Sequence, residues 1–173
     1  MISRRNFLKA MIATAIIYPF KNVSASQKSE RILNMYNIHT DESLNIKYYS
    51  AGIYDREAID KINYFLRCHY TNEVKAMDIG VLDMLCDIKD IVGKDREVQI
   101  ISGYRSLAYN EFLRSHGSKV SKNSLHLSGL AIDFSIEGVN NDELSRIARS
   151  FATGGVGKYP EFVHIDVGRI RCW

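Results

Sequence analysis

The chain is poor in residues that staple or punctuate a fold, with three cysteines, two prolines and one tryptophan among 173 residues. Cys68, Cys86 and Cys172 form an odd set with no Cys-x-x-Cys spacing, which excludes a thiolate zinc ribbon or finger. A Cys68–Cys86 disulfide bridging two predicted helices stays open for an oxidising compartment. No clustered basic face is visible, and a nucleic-acid binder needs one. The net charge of +3 includes Arg4, Arg5, Lys9 and Lys21, so the rest of the chain is near neutral. The apolar stretch near the N-terminus falls short of the roughly 20 residues that span a bilayer comfortably, and no other segment is long or apolar enough. Gly154-Gly155-Val156-Gly157 lacks the Lys-Ser/Thr ending of a phosphate loop and reads as a turn. Repeats, low-complexity tracts and a second domain are also missing.

What is present begins with an address. Ser3-Arg4-Arg5-Asn6-Phe7-Leu8-Lys9 is a twin-arginine pattern, followed by an apolar stretch from Ala10 to Phe20. Val23-Ser24-Ala25 puts small residues where a cleavage site needs them, so residues 1–25 read as a twin-arginine signal peptide and Ser26 as the mature start. Residues 26–43 form an N-terminal lead and first strand, and 44–173 form one catalytic-size domain. With 46% apolar residues, a core is attainable without disulfides.

Periodicity places the elements. Arg31 to Thr40 and Leu44 to Ser50 read as strands around Asp41-Glu42-Ser43, with Leu44, Ile46 and Tyr48 alternating against Asn45, Lys47 and Tyr49. Asp55 caps a helix reaching about Cys68, with Ile59, Ile62, Phe65 and Leu66 on one face. A second helix runs from about Met77 to Val92 and carries Ile79, Leu82, Leu85, Ile88 and Ile91. Glu97 to Ser102 is a strand, Leu107 to Ser115 a short helix, and His116 to Ser124 a polar loop. Leu130 to Ile136 is a strand, Asn140 or Asn141 caps a helix to about Phe151, and Phe162 to Val167 is the last core strand. The mixture predicts an α+β domain with a central antiparallel sheet covered by helices.

Strand parity then assembles a site. Along the strand from Leu130, the residues Leu130, Ile132, Phe134 and Ile136 share one face, leaving Asp133 on the other. In the last strand Val163, Ile165 and Val167 share a face, with His164 and Asp166 opposite. Two apolar faces packed on one core turn Asp133 and His164 into a common cleft. Gly129 lets the chain turn and bring His126 back toward it. Two imidazoles, one carboxylate and a water make a catalytic zinc site with an open position. A carboxylate among Ala131 and Ile132 also needs a partner when buried. His39, His69 and His116 lack such a context and read as structural or surface residues.

Ser102-Gly103-Tyr104-Arg105-Ser106, Ser124-Leu125-His126-Leu127-Ser128-Gly129-Leu130-Ala131-Ile132-Asp133 and Phe162-Val163-His164-Ile165-Asp166-Val167-Gly168 resemble zinc murein peptidases. The class is the lysostaphin/D-Ala-D-Ala metallopeptidase/hedgehog fold, and the nearest likeness is to the MepK-like murein endopeptidases. It runs from about Leu44 to Trp173 and takes in Arg171-Cys172-Trp173. The resemblance implies zinc held by His126, Asp133 and His164, and peptidoglycan stem peptides as substrate. It further implies that Arg105 binds a substrate carboxylate or the developing oxyanion, the alternative being a structural salt bridge within a turn. Tyr104 and Ser124 are candidates to line the cleft, and a loop-tying hydrogen bond or simple packing explains them equally well. Hydrolysis also needs a carboxylate to move a proton from water to the leaving amine. Glu161 and Asp166 are the candidates. Glu161 stands three residues before His164, as in the Glu-x-x-His of D-Ala-D-Ala dipeptidases. Asp166 has the parity, and its alternative role is to orient His164. Phe162 occupies the place where lysostaphin-type enzymes carry the first His of a His-x-His pair.

The reading is therefore an exported, periplasmic zinc metallopeptidase that cuts cross-links between glycan strands. A murein carboxypeptidase and a catalytically silent zinc-stabilised peptidoglycan-binding domain are the alternatives. The oligomeric state is not written in the sequence. Mass spectrometry of the exported protein is expected to find a chain beginning at Ser26, and a retained Met1 would contradict the cleavage site.

Overall fold

Alternating apolar residues near the N-terminus form a hairpin, in which β1 (Glu30–Asn37) and β2 (Glu42–Ser50) pair antiparallel. The computed structural model describes residues 30–118 and 120–173, so the twin-arginine segment, its cleavage site and the lead to Ser29 lie outside the described residues. A two-residue strand β3 (Ile53–Tyr54) adds to β2. Then come helices α1 (Arg56–Phe65) and α2 (Ile79–Val92), strand β4 (Val98–Ser102) and helix α3 (Leu107–Ser115). A single 3-10 turn (Leu125–Ser128) leads to β5 (Ala131–Ile136) and α4 (Asn141–Ser150). The chain closes with β6 (Gly155–Lys158), β7 (Val163–Asp166) and β8 (Arg171–Cys172).

The fold is α+β. Among the described residues the eight strands share one sheet in the order β3-β2-β1-β4-β5-β7-β6-β8. Most neighbours run antiparallel, as expected, but β1 with β4 and β6 with β8 are parallel pairs. Gly154 to Gly157 is not the expected turn: Gly155 onward forms β6, hydrogen-bonded to β7 on one side and β8 on the other. Three glycines in four residues carry no alternating side chains, so the usual strand signal is missing there.

Helix ends are set by short polar side chains. Asp55 accepts hydrogen bonds from the N–H groups of Glu57 and Ala58, Asp78 from Gly80, Ser106 from Tyr109 and Asn140 from Asp142. Asp78 thus starts α2 two residues later than the expected Met77, and α1 stops at Phe65 and not near Cys68.

The core lies between the helices and one face of the sheet. Ile62 and Phe65 of α1, Leu82, Leu85 and Ile88 of α2 and Leu144 of α4 meet Ile132, Phe134, Val163 and Ile165 of β5 and β7. Burying each of these large side chains contributes about 1.5–3 kcal/mol. Ile91, expected on the buried stripe of α2, is 59% exposed at the last turn. Among the described residues no disulfide forms, so Cys68 and Cys86 are not joined: Cys68 lies 3.4 Å from the Ser106 hydroxyl and Cys86 lies 3.6 Å from the Ile32 carbonyl. Among the described residues no helix is long and apolar enough to cross a membrane.

Leu85→Ala is expected to cost about 2–5 kcal/mol in urea unfolding, because the side chain is wholly buried. Ile91→Ala, on the exposed turn, is expected to change stability by less than about 0.5 kcal/mol.

Candidate metal centre and active-site cleft

The face of β5 and β7 opposite the core carries the chemistry. Register pairs Asp133 directly with His164, so the two side chains emerge next to each other as strand parity requires. His126 comes from the 3-10 turn, which ends at Gly129 in the left-handed region with φ 69°. That glycine also has no room for a side chain, since a Cβ would lie 2.3 Å from the Ala76 carbonyl oxygen. The tight turn therefore both reverses the chain and seats His126 over the sheet.

The three side chains converge closely. His126 Nε2 lies 3.2 Å from His164 Nδ1 and 3.2 Å from Asp133 Oδ1, and His164 Nδ1 lies 2.7 Å from the same oxygen. All three residues are buried. The outer nitrogens of both rings are occupied. His126 Nδ1–H donates to the Gly103 carbonyl oxygen at 2.8 Å, and His164 Nε2–H donates to Asp166 Oδ2 at 3.1 Å. With those protons outward, each neutral imidazole turns a bare lone pair inward, toward the other and toward a carboxylate. Three mutually facing acceptors repel unless a cation sits among them. Ligand atoms 2.0–2.1 Å from a tetrahedral ion lie about 3.3 Å apart, close to the spacing seen here. The residues fit a divalent transition metal.

Without a metal ion, a proton on an imidazole takes the cation's place, and the electrostatics reflect that attraction. Burial alone would push the Asp133 carboxyl up, yet the His126 and His164 imidazoles hold it well below the usual carboxylate range. His164 shows the converse: burial lowers it, while Asp133 and Asp166 raise it to a net upward shift. For Asp166, burial is outweighed by His164, Arg171 and the N–H groups of Gly168 and Gly155, so it stays ionised.

Around the trio is a cleft of about 470 Å³, lined among others by Ser121, Asn123, Ser124, Tyr159, Phe162 and Trp173. Arg105 lies at its floor. Its Nη2 reaches Ser102 Oγ at 3.3 Å and Asp133 Oδ2 at 3.4 Å, and its buried Nε–H has no partner. A guanidinium lining a cleft is suited to an anionic guest.

The other expected site residues separate. Ser124 lines the cleft. Tyr104 is not among the lining residues; its ring packs on the core and its hydroxyl lies 3.5 Å from Glu73. Asp166 is fully buried behind His164, whereas Glu161 is exposed just before β7 begins at Val163. His39 stacks on His69 at 4.0 Å and His116 lies against Phe112 at 4.1 Å, away from the trio. Tyr159, Arg171 and Trp173 had not been singled out as site residues. Two of them sit in or beside a two-residue strand, and the resemblance at Arg171-Cys172-Trp173 was the one available signal.

Two comparisons bear on this site. Residues 25–173 match the model of a peptidase family described as peptidoglycan L,D-endopeptidase MepK. The peptidoglycan L,D-endopeptidase MepK of Escherichia coli K12 is 41% identical over 145 residues, covering 83% of this chain and 80% of that protein. The probable peptidoglycan L,D-endopeptidase MepK of Haemophilus influenzae is 36% identical over 151 residues, covering 86% and 81%.

Chelator-treated protein titrated with Zn²⁺ in a calorimeter is expected to bind one ion per chain, and Asp133→Ala to lose that binding. Undiminished binding in Asp133→Ala would remove the trio as the metal centre.

Proposed function

This chain belongs to the peptidoglycan L,D-endopeptidase MepK family of M15 peptidases, and from that premise we propose an exported zinc enzyme that hydrolyses cross-links between peptidoglycan stem peptides. The single observation that carries the metal reading is the convergence of His126 Nε2, His164 Nδ1 and Asp133 Oδ1 to within 3.2 Å of one another. The relatives are named as L,D-endopeptidases, which favours the diaminopimelate–diaminopimelate (3–3) link as the substrate bond over the 4–3 link. Export through the twin-arginine route, with periplasmic action, is the reading that residues 1–25 support.

Bound zinc supplies Lewis acidity, polarising the scissile carbonyl and making water acidic enough to attack at neutral pH. The protein supplies the rest. Arg105, which lines the cleft, donates to a substrate carboxylate or to the oxygen that gains charge as the amide is attacked. Ser124 and the Tyr159–Phe162 stack, with rings 4.5 Å apart, flank the peptide.

The two candidate carboxylates divide the remaining work. Asp166 Oδ1 already accepts from Gly155 N–H, Gly168 N–H and Arg171, and its Oδ2 accepts from Arg171 and His164. A carboxylate with both oxygens so engaged is a poor proton shuttle, and its role is to orient His164. Glu161, exposed just before β7 begins and at the opposite end of the strand from Asp166, is the other candidate. It takes the proton of the attacking water and returns it to the leaving amine.

Purified cross-linked muropeptides digested and weighed by mass spectrometry test the reading. Wild type is expected to convert dimers to monomers. Loss of a single residue from uncross-linked stems would mark a carboxypeptidase, and zinc binding without any hydrolysis would mark a silent binding domain. Glu161→Ala is expected to lower kcat by about 10²–10⁴-fold with zinc content unchanged. Wild-type kcat in Glu161→Ala would remove Glu161 as the base.

A further inference from the structure

Asp166 is the most heavily bonded carboxylate near the cleft, and its strongest partner comes from the far edge of the sheet. Arg171 of β8 reaches past β6 and holds it at two points, Nη1 to Oδ1 at 3.1 Å and Nη2 to Oδ2 at 2.7 Å. The N–H groups of Gly155 and Gly168 add bonds of 2.9 and 2.8 Å to Oδ1. One direction remains, from Oδ2 to His164 Nε2–H at 3.1 Å.

The backbone around this pair has been kept bare of side chains. A Cβ at Gly155 would lie 2.5 Å from Asp166 Oδ2 and 2.6 Å from Arg171 Nη1. At Gly168 it would lie 3.1 Å from Asp166 Oδ1 and 3.3 Å from Arg171 Nη1. At Gly157 it would lie 2.6 Å from the Trp173 ring. Trp173 closes the other side: its ring lies 5.0 Å from the Arg171 guanidinium and 5.3 Å from the His164 ring, and its Nε1–H donates to Tyr159 Oη at 2.9 Å. The run Gly154-Gly155-Val156-Gly157 is thus the bed on which a guanidinium and an indole rest.

We infer that Arg171 is a positioning residue of the metal centre, acting through Asp166 to fix His164. The inference rests on the zinc reading above. A planar fork with two parallel bonds fixes both the place and the plane of a carboxylate, as a lysine's point charge does not. Once the Asp166 plane is fixed, Oδ2 sits on the His164 Nε2–H, the proton stays on that nitrogen, and Nδ1 keeps its lone pair toward Asp133 and His126. The Arg171 guanidinium bonds to Asp166 and the Arg169 carbonyl and to none of the three proposed ligands.

The test is zinc affinity by chelator competition in wild type, Arg171→Ala, Arg171→Lys and Gly155→Ala, with thermal unfolding of each metal-free protein as a check on folding. Arg171→Ala is expected to bind zinc about 10- to 100-fold more weakly while remaining folded. Arg171→Lys, which keeps the charge and loses the fork, is expected to fall between it and wild type. Gly155→Ala is expected to weaken zinc binding with Arg171 still present. In zinc-loaded wild type the His164 Nε2–H proton is expected as a resolved NMR resonance, and in Arg171→Ala it is expected to be lost to solvent exchange. A folded Arg171→Ala that binds zinc within about twofold of wild type and keeps that resonance would overturn the inference and leave the zinc reading standing. Should the alanine variant not fold, Arg171→Lys with wild-type affinity would overturn it equally. Wild type that binds no zinc would overturn both.

Discussion

Three lone pairs pressed to within about 3 Å of one another are the constraint around which this structure is organised. Left alone they repel, so the protein has to hold them there from outside. It does so with two hydrogen bonds that face away from the centre, one from His126 to the Gly103 carbonyl and one from His164 to Asp166. Each removes a tautomer that would point an N–H inward. The centre is therefore prepared for a cation by groups that never touch it.

Those outer partners tie the site to the fold. Gly103 follows β4 directly, and its own Cβ position is filled by Leu66, so the carbonyl that receives His126 is locked between α1's exit and the sheet. Asp166 ends β7 and is gripped from β6 and β8. Asp133 and His164 are neighbours across β5 and β7, whose opposite face is the core. Packing of Ile132, Phe134, Val163 and Ile165 against the helices thus fixes the strands from one side, and the ligands stand on the other. Catalytic geometry and stability share the same four-residue strand.

Much of this was legible in the sequence, for a physical reason. Side-chain alternation along a strand is strict, so Ile132 and Phe134 inside required Asp133 outside, and Val163 and Ile165 required His164. The α+β mixture and the helix caps at Asp55 and Asn140 followed from equally local signals. What escaped was long-range or lacked side chains. Glycine-rich β6 shows no alternation, and β8 is two residues long. The bonds that engage Asp166 come from Gly155, Gly168 and Arg171, so parity alone left it looking available as a base. Tyr104 shares a motif with Arg105, yet consecutive residues diverge at a turn and its ring goes to the core. Ile91 had the right helical phase and fell on the last, uncovered turn.

X-ray absorption spectroscopy at the zinc edge of the metal-loaded protein tests the central claim most directly. The account predicts a four-coordinate ion with nitrogen and oxygen scatterers near 2.0–2.1 Å, the multiple-scattering signature of two imidazoles, and no sulfur. A sulfur shell near 2.3 Å, or a spectrum without imidazole scattering, would contradict it.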